Sequence, residues 1–180
     1  MPARVVAVSL SRTHTFSKHP QPHIHLLAGL GVEGDAHCGA TVRHRYLARR
    51  DPTQPNLTQV HLLQAELLET LRSSGFPLLP GDLGENITTS GIDLLALPAS
   101  TRLHIGPAAV VEITGLRTPC VQMNHLRPGL MAAVFTYLPS GKKSPRTGVM
   151  SIVRRGGTVT PDCPIEIELP ALPHQPMKCV

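Results

Sequence analysis

The sequence predicts a mostly β fold that is barrel-like and has one or two helices inserted. Short runs rich in Val, Ile and Leu recur along the chain, and long loops separate them. The 180 residues include 18 Pro and 15 Gly, which favour turns and irregular connections. The regular alternation of strands and helices that builds a doubly wound parallel sheet is absent. Together these features are typical of mostly β, barrel-like domains with helical insertions.

Six segments have the composition of β-strands. Each is rich in aliphatic or β-branched residues, and most are bounded by Gly, Pro or polar residues. Gly106-Pro107 predicts a turn between two of them, and Gly156-Gly157 predicts another. The predicted strands are residues 5–10, 24–29, 103–105, 108–114, 149–154 and 165–169.

Two segments are predicted as helices. Apolar residues at helical spacing predict a helix over residues 59–73, with Gly75 as its stop signal. Pro128, which suits a first helical turn, predicts a second helix over residues 128–138. The apolar stripe of the first helix consists of Val60, Leu63, Leu67 and Leu71.

The length and the apolar content indicate a single domain. A chain of 180 residues with 41% hydrophobic residues can bury a core without disulfides or metals. We assign residues 1–170 to this domain and residues 171–180, which are rich in Pro, to a C-terminal tail. Residues 139–147 are predicted to form a basic loop within the domain.

The charge and the cysteines restrict the class of partner and the compartment. A net charge of +5 favours an anionic partner, and aromatic residues at 3% are too few for a base-stacking surface. We therefore expect an anionic small molecule rather than a nucleic acid. The four cysteines match no disulfide framework or zinc motif, and no apolar run approaches a membrane span. We expect a cytoplasmic protein that has no membrane partner.

Cys120 is the candidate reactive residue. It follows a predicted strand, and Arg117 and Pro119 precede it closely. A nearby guanidinium favours the thiolate, which is the nucleophilic and metal-binding form of cysteine. The alternative is a small buried hydrophobic residue, which is what most unpaired cysteines are.

Two Gly-rich acidic loops are candidate ligand-binding segments. Residues 29–37, Gly-Leu-Gly-Val-Glu-Gly-Asp-Ala-His, include Gly34, Asp35 and His37. Gly residues allow close backbone approach to an anion, and Asp35 and His37 could position or protonate it. Residues 80–88 repeat this chemistry and supply Asn86, which both donates and accepts hydrogen bonds. We predict that the two loops converge near Cys120, although each could also be only a tight turn.

Basic residues supply candidates for binding the anionic end of a ligand. Arg43 belongs to a basic run over residues 43–50 and lies nearest the first Gly-rich loop. Arg117 and Arg146 are the other candidates, because a guanidinium binds phosphate in a bidentate fork. A run of this kind can equally be a solvated surface. The clustered histidines at 14, 19, 23 and 25 match no standard metal-ligand spacing, so we interpret them as a loop.

Taken in order along the chain, these segments resemble the MOSC family, named for the C-terminal domain of molybdenum cofactor sulfurase. The resemblance rests on residues 29–37, 80–88 followed by Gly-Ile-Asp-Leu at 91–94, Leu-His-Ile-Gly at 103–106, and Arg-Thr-Pro-Cys at 117–120. It covers roughly residues 4–169 and is similar to the small stand-alone bacterial type.

The resemblance implies a barrel-like β fold and a single cysteine, here Cys120, that ligates molybdenum or carries sulfur as a persulfide. It implies the molybdenum cofactor, molybdopterin, and reduction of small N-hydroxylated compounds with a redox partner. The alternative is a sulfur carrier with no bound cofactor, which would receive sulfur from a cysteine desulfurase. A cofactor-storing module and a basic nucleic-acid-binding barrel are two further hypotheses.

Overall fold

A computed structural model of the chain describes residues 2–138 and 140–180, apart from the side chains of Tyr46 and Leu47. Met1, in the predicted domain, and Pro139, in the predicted basic loop, lie outside the described residues. Within the described ranges, no helix is both long enough and apolar enough to cross a bilayer.

Strands account for most of the regular structure. In chain order they are β1 (Arg4–Leu10), β2 (His19–Gln21), β3 (Ile24–Leu27), β4 (Gly31–Val32), β5 (Val60–Gln64), β6 (Ile87–Ser90), β7 (Arg102–Ile105), β8 (Ala109–Leu116), β9 (Phe135–Tyr137), β10 (Lys143–Pro145), β11 (Val149–Arg155), β12 (Gly157–Val159) and β13 (Ile165–Glu168). The helices are α1 (Arg45–Arg50), α2 (Ala65–Ser73), α3 (Gln122–Leu126) and α4 (Leu130–Ala133), with a 3-10 turn at Leu94–Ala96.

One eight-stranded sheet organises the domain. Its strand order is β13-β7-β8-β11-β5-β6-β1-β2, and its neighbours are antiparallel except for the parallel pair β5–β6. A three-stranded sheet, β12-β3-β4, and the hairpin β9–β10 complete the strands described. The mostly β prediction is therefore confirmed.

The large sheet is barrel-like but does not close. Its edge strands, β13 and β2, are not paired with each other. The chain nevertheless curls back on itself, because the Val5 amide donates to the Cys163 carbonyl and the Ile165 amide donates to the Ala3 carbonyl, both at 2.9 Å. These bonds join the start of β1 to the segment that leads into β13.

The core has two parts. Inward-facing aliphatic residues of the sheet form the larger part, and among its fully buried members are Val5, Leu62, Ile87, Leu103 and Ile113. The smaller part lies under α2, α3 and α4 and includes Leu67, Leu71, Met123 and Leu130. It joins the helices to β5 through Leu63.

The predicted helix over residues 59–73 is wrong for its first part. Residues Val60–Gln64 form the central strand β5, and only Ala65–Ser73 are helical. Four consecutive residues of β5 are buried because sheet neighbours and core cover both of its faces. A strand buried on both faces loses the alternating pattern that distinguishes a strand from a helix.

The predicted helix 128–138 is shorter than expected. Only Leu130–Ala133 are helical, and Phe135–Tyr137 pair with Lys143–Pro145 inside the predicted basic loop. The described residues thus contain four helices, where the sequence predicts one or two.

The segment 170–180 packs on the domain. Cys179 forms a parallel bridge with Leu116, and the Leu116 amide donates to the Lys178 carbonyl at 2.8 Å. No side chain would fit at Gly115, because a Cβ there would meet the Lys178 carbonyl oxygen. These residues therefore lie against the end of β8, which leads to Cys120.

Candidate functional site

Cys120 lies between the end of β8 and the start of α3. Its carbonyl accepts a hydrogen bond from the Met123 amide at 3.1 Å, and its half-buried thiol donates to Gln122 Oε1 at 3.6 Å. The preceding turn is held from the other side, since Thr147 Oγ1 donates to the Arg117 carbonyl at 2.8 Å. Cys120 is thus presented from a segment fixed at both ends.

Arg117 carries a buried charge beside this thiol. Only 9% of the residue is exposed, and its guanidinium lies near the Cys120 side chain. It also lies 5.6 Å from the centre of the Phe16 ring, and Nη1 is 3.9 Å from Met123 Sδ. Burial lowers the pKa of Arg117, whereas the nearby Cys120 and Glu85 oppose that shift.

Arg117 has no carboxylate partner among the described residues, since none of their salt bridges includes it. Buried charges in proteins are normally paired. The position beside Cys120 is therefore suited to a negatively charged group.

The two Gly-rich loops meet through Asp35 and Asn86. Asn86 Nδ2 donates to Asp35 Oδ2 at 3.1 Å and to the Ser9 carbonyl at 3.1 Å. The Ser11 amide donates to the same Asp35 oxygen at 3.2 Å, and the buried Lys18 forms a salt bridge with it. A buried polar network thus joins loops 29–37 and 80–88 to the end of β1.

His37 is oriented by Asp35. The His37 amide donates to Asp35 Oδ1 at 2.9 Å, and His37 Nδ1 lies 3.1 Å from the same oxygen. Burial by itself would raise the pKa of Asp35, but hydrogen bonds from His37 and the charge of Lys18 hold this pKa well below its usual range. The ionised carboxylate favours the tautomer that carries its proton on Nδ1, which leaves Nε2 free for a ligand.

Two further buried titratable groups lie between these elements. His61 Nε2 is 2.7 Å from the Thr147 carbonyl oxygen, and burial together with the charge of Arg117 lowers the pKa of His61 to about 3. Glu85 Oε1 accepts from the Gly81 amide at 2.7 Å and from Thr88 Oγ1 at 3.1 Å. Burial raises the pKa of Glu85, and Glu85 Oε2 has no hydrogen-bond partner among the described residues.

Basic side chains surround the site. Burial lowers the pKa of His44, and the charges of His37 and Arg117 lower it further. The His14 ring meets the His37 ring edge-on, with centroids 5.1 Å apart. Arg146 lies next to Thr147, and its buried Nε has no hydrogen-bond partner in the part of the chain described.

The other predicted site residues occupy the rim. Arg43 is exposed and its guanidinium packs against Gly39. Gly34 has a φ of +77°, and open space lies where a side chain would project. Burial and the Asp35 charge raise the pKa of the Cys38 thiol, which makes Cys38 a poorer source of thiolate.

The site is therefore assembled from segments spread over most of the chain. Hydrogen bonds join Asp35 to His37 and Asn86, and Asn86 Oδ1 accepts from the His61 amide at 3.2 Å. The His61 ring contacts the Thr147 carbonyl, and Thr147 Oγ1 donates to the carbonyl of Arg117, three residues before Cys120. Sequence reasoning missed Lys18, His61 and Glu85. Lys18 lies in a polar loop, and His61 lies in the segment predicted as a helix but outside its apolar stripe, so neither carries a local signal of its burial.

The side chains of the described residues do not form a metal-binding site of their own. Among the residues that the structure describes, no three His, Cys, Asp or Glu side chains form a group suited to a metal ion.

Comparisons with known proteins bear on both fold and family. The MOSC domain family matches residues 49–166. The YuaD protein from Bacillus subtilis is similar in structure, with a TM-score of 0.77, 24% identity, and coverage of 95% of this chain and 98% of that one.

Two YiiM proteins share the fold. YiiM from Geobacillus stearothermophilus gives a TM-score of 0.68 at 16% identity, covering 97% of this chain and 80% of that one. YiiM from Escherichia coli gives 0.61 at 19% identity, covering 97% and 73%. No curated protein matches the chain in sequence.

Proposed function

Because the chain belongs to the MOSC domain family, which is associated with molybdenum cofactor binding, we propose that it binds this cofactor with the Cys120 thiolate as a molybdenum ligand. We further propose that it reduces small N-hydroxylated compounds. The observation that carries the proposal is the buried guanidinium of Arg117, which faces Cys120 and has no carboxylate partner among the described residues.

The residues around Cys120 fit an anionic sulfur-bound group. A cysteine thiolate is a soft ligand, and such ligands suit metals held by sulfur. Arg117, which is almost fully buried, compensates the negative charge at the sulfur. A phosphate could accept hydrogen bonds from Arg146, whose Nε has no partner among the described residues, and from the exposed guanidinium of Arg43. The adjoining loops supply Asn86, which contacts Asp35, and open space beside Gly34.

The chain's own acid–base group is His37. When bound, the cofactor supplies the two-electron chemistry, and a redox partner replenishes the electrons. Reduction of an N-hydroxyl group to an amine consumes two electrons and two protons and releases water. His37, held at Nδ1 by Asp35, presents Nε2 as the atom that takes up a proton and delivers it to the substrate. Lys18 keeps Asp35 ionised and thereby fixes the orientation of His37.

The second candidate is a sulfur carrier that uses a Cys120 persulfide. It depends on the same buried guanidinium of Arg117 near Cys120. A persulfide is also anionic, so Arg117 would stabilise it in the same way. Sulfur would then come from a cysteine desulfurase, and no cofactor would be needed.

Expression in a host that makes molybdenum cofactor separates the two candidates. The first predicts molybdenum and pterin that copurify with the wild-type protein and are lost in Cys120→Ser. The matched control is Cys163→Ser, because Cys163 packs against the sheet core away from these contacts. Cyanide-releasable sulfur without molybdenum would support the carrier instead. If Cys120→Ser retains both molybdenum and activity, the thiol is structural and both candidates are wrong.

A second comparison tests the role of Arg117. Arg117→Ala should weaken cofactor retention more than Arg50→Ala does, because Arg117 is buried beside Cys120 and Arg50 is exposed on α1. Thermal unfolding of both variants verifies that they fold. If both variants lose the cofactor equally, Arg117 acts only through the overall positive charge of the protein and not through a specific contact with the ligand.

A further inference from the structure

A groove of about 480 Å³ lies beside the candidate site, and three arginine side chains line it. Its walls come from α1 and the loop before it. The polar lining residues are His14, Thr41, Arg43, Arg45 and Arg49. No Asp or Glu lines it. We call this feature the arginine groove.

The three arginines of this groove are not neutralised by carboxylates in the described part of the chain. None of the salt bridges there includes Arg43, Arg45 or Arg49, whereas Arg4 and Arg154 are each paired with an acid. Three guanidinium groups facing one groove repel each other unless an anion lies between them.

The groove is fixed in place next to His37. The loop that carries it is clasped at its base, where the Val42 amide donates to the Gln54 carbonyl at 2.9 Å and the Asn56 amide donates to the Ala40 carbonyl at 2.9 Å. Asn56 Nδ2 also donates to the carbonyls of His37 and Gly39, each at 2.9 Å. These hydrogen bonds therefore hold the loop that carries the groove arginines against the segment that contains His37.

His14 makes the groove and the candidate site continuous. Its ring lines the groove and also meets the His37 ring edge-on. The pKa of His14 is lowered by burial and then by His37 and Arg45, so its neighbours on both sides are close. A ligand in the groove could thus extend to His37.

We propose that the arginine groove binds the phosphate group of an organic phosphate whose remainder extends toward His37 and Cys120. Arg forms bidentate hydrogen bonds with phosphate, and the groove volume falls in the range of about 300–1,000 Å³ that small-molecule sites occupy. The inference deepens the proposed function, because it names a phosphate-bearing ligand for the same site. The phosphate belongs either to the cofactor or to a substrate.

Calorimetric titration with inorganic pyrophosphate tests the groove itself. Arg45→Gln and Arg49→Gln should each weaken pyrophosphate binding about tenfold or more, as expected for loss of a charge-assisted hydrogen bond. Arg50→Gln is the matched control, because it removes the same charge from the same helix but Arg50 does not line the groove. Thermal unfolding shows whether each variant is folded.

Cofactor-free and cofactor-loaded wild-type protein distinguish the two sources of phosphate. Pyrophosphate binding to only the cofactor-free protein would assign the groove to the cofactor. Binding to both forms would assign it to a phosphorylated substrate. Equal weakening by Arg50→Gln, or no pyrophosphate binding to either form, would overturn the groove proposal. The Cys120→Ser result is independent of this titration, so failure of the proposed function can be told apart from failure of the groove.

Discussion

Replacing His61 by Gln should reduce the acid sensitivity of the fold. His61 is buried, and its pKa is lowered from 6.5 to about 3 in the folded protein. The unfolded chain therefore takes up a proton at this residue well before the folded chain does. For a group with a depressed folded-state pKa, the stability contribution is complete above pH 6.5 and declines as the pH falls from 6.5 toward 3.

The magnitude follows from that pKa difference. At about pH 4.5, two units below 6.5, the folded protein still holds His61 neutral while the unfolded chain is protonated. One pKa unit corresponds to about 1.4 kcal/mol, so His61 alone removes about 3 kcal/mol of unfolding free energy between pH 7.5 and 4.5. Gln cannot titrate, and its amide can still donate to the Thr147 carbonyl that His61 contacts.

Urea unfolding at about pH 7.5 and about pH 4.5 measures this directly. The unfolding free energy of wild type should fall by about 3 kcal/mol more than that of His61→Gln over the same interval. Other groups that titrate in this range, such as His14 and His44, are present in both proteins and cancel in the difference. If the unfolding free energy falls equally in the two proteins, the conclusion that His61 is buried and neutral next to Arg117 is wrong.

Three further predictions follow from the buried groups and the thiols. Lys18→Met should lower the free energy of unfolding by about 3–5 kcal/mol, because it strands the buried Asp35 carboxylate; a change below about 1 kcal/mol in urea unfolding would contradict this. Burial raises the pKa of Glu85, so its contribution to stability is present below 4.5 and is lost as the pH rises through the higher folded-state pKa. Glu85→Gln should therefore gain stability relative to wild type between about pH 5 and about pH 8, and urea unfolding that shows no relative gain would count against it. Iodoacetamide at neutral pH should modify Cys120 faster than Cys163, which packs against the sheet core; peptide mass spectrometry that finds Cys163 modified first would reverse the assignment.

The sequence predicts the strands with clear boundaries well. The segments that become β1, β8 and β11 are aliphatic runs ended by Gly or polar residues, and their observed limits differ from the predicted ones by one or two residues. The strand β5 is different, because both of its faces are buried and its residues also fit a helical stripe. Only the three-dimensional sheet order reveals that Val60 to Gln64 pair with β11 and β6.

The residues of the candidate site also differ in how far the sequence predicts them. Arg117 and Cys120 are neighbours in sequence, so their proximity can be predicted from the chain alone. Asp35 and Asn86 lie in loops whose Gly and acidic residues suggest a binding segment, although their direct hydrogen bond needs the folded sheet. Lys18 gives no local signal, because a lysine is buried only when tertiary structure places an acid opposite it.

Because the residues of the site come from several strands of the sheet, ligand binding is coupled to folding of the whole domain. Lys18, Asp35 and Asn86 meet only when β1, β5 and β6 have taken their places. A ligand held there has no affinity for the unfolded chain, so its binding energy adds to global unfolding. A ligand present at a hundred times its dissociation constant adds about 2.7 kcal/mol. A rise in melting temperature across a panel of pterins, organic phosphates and N-hydroxylated amines would therefore reveal a ligand before any reaction is known.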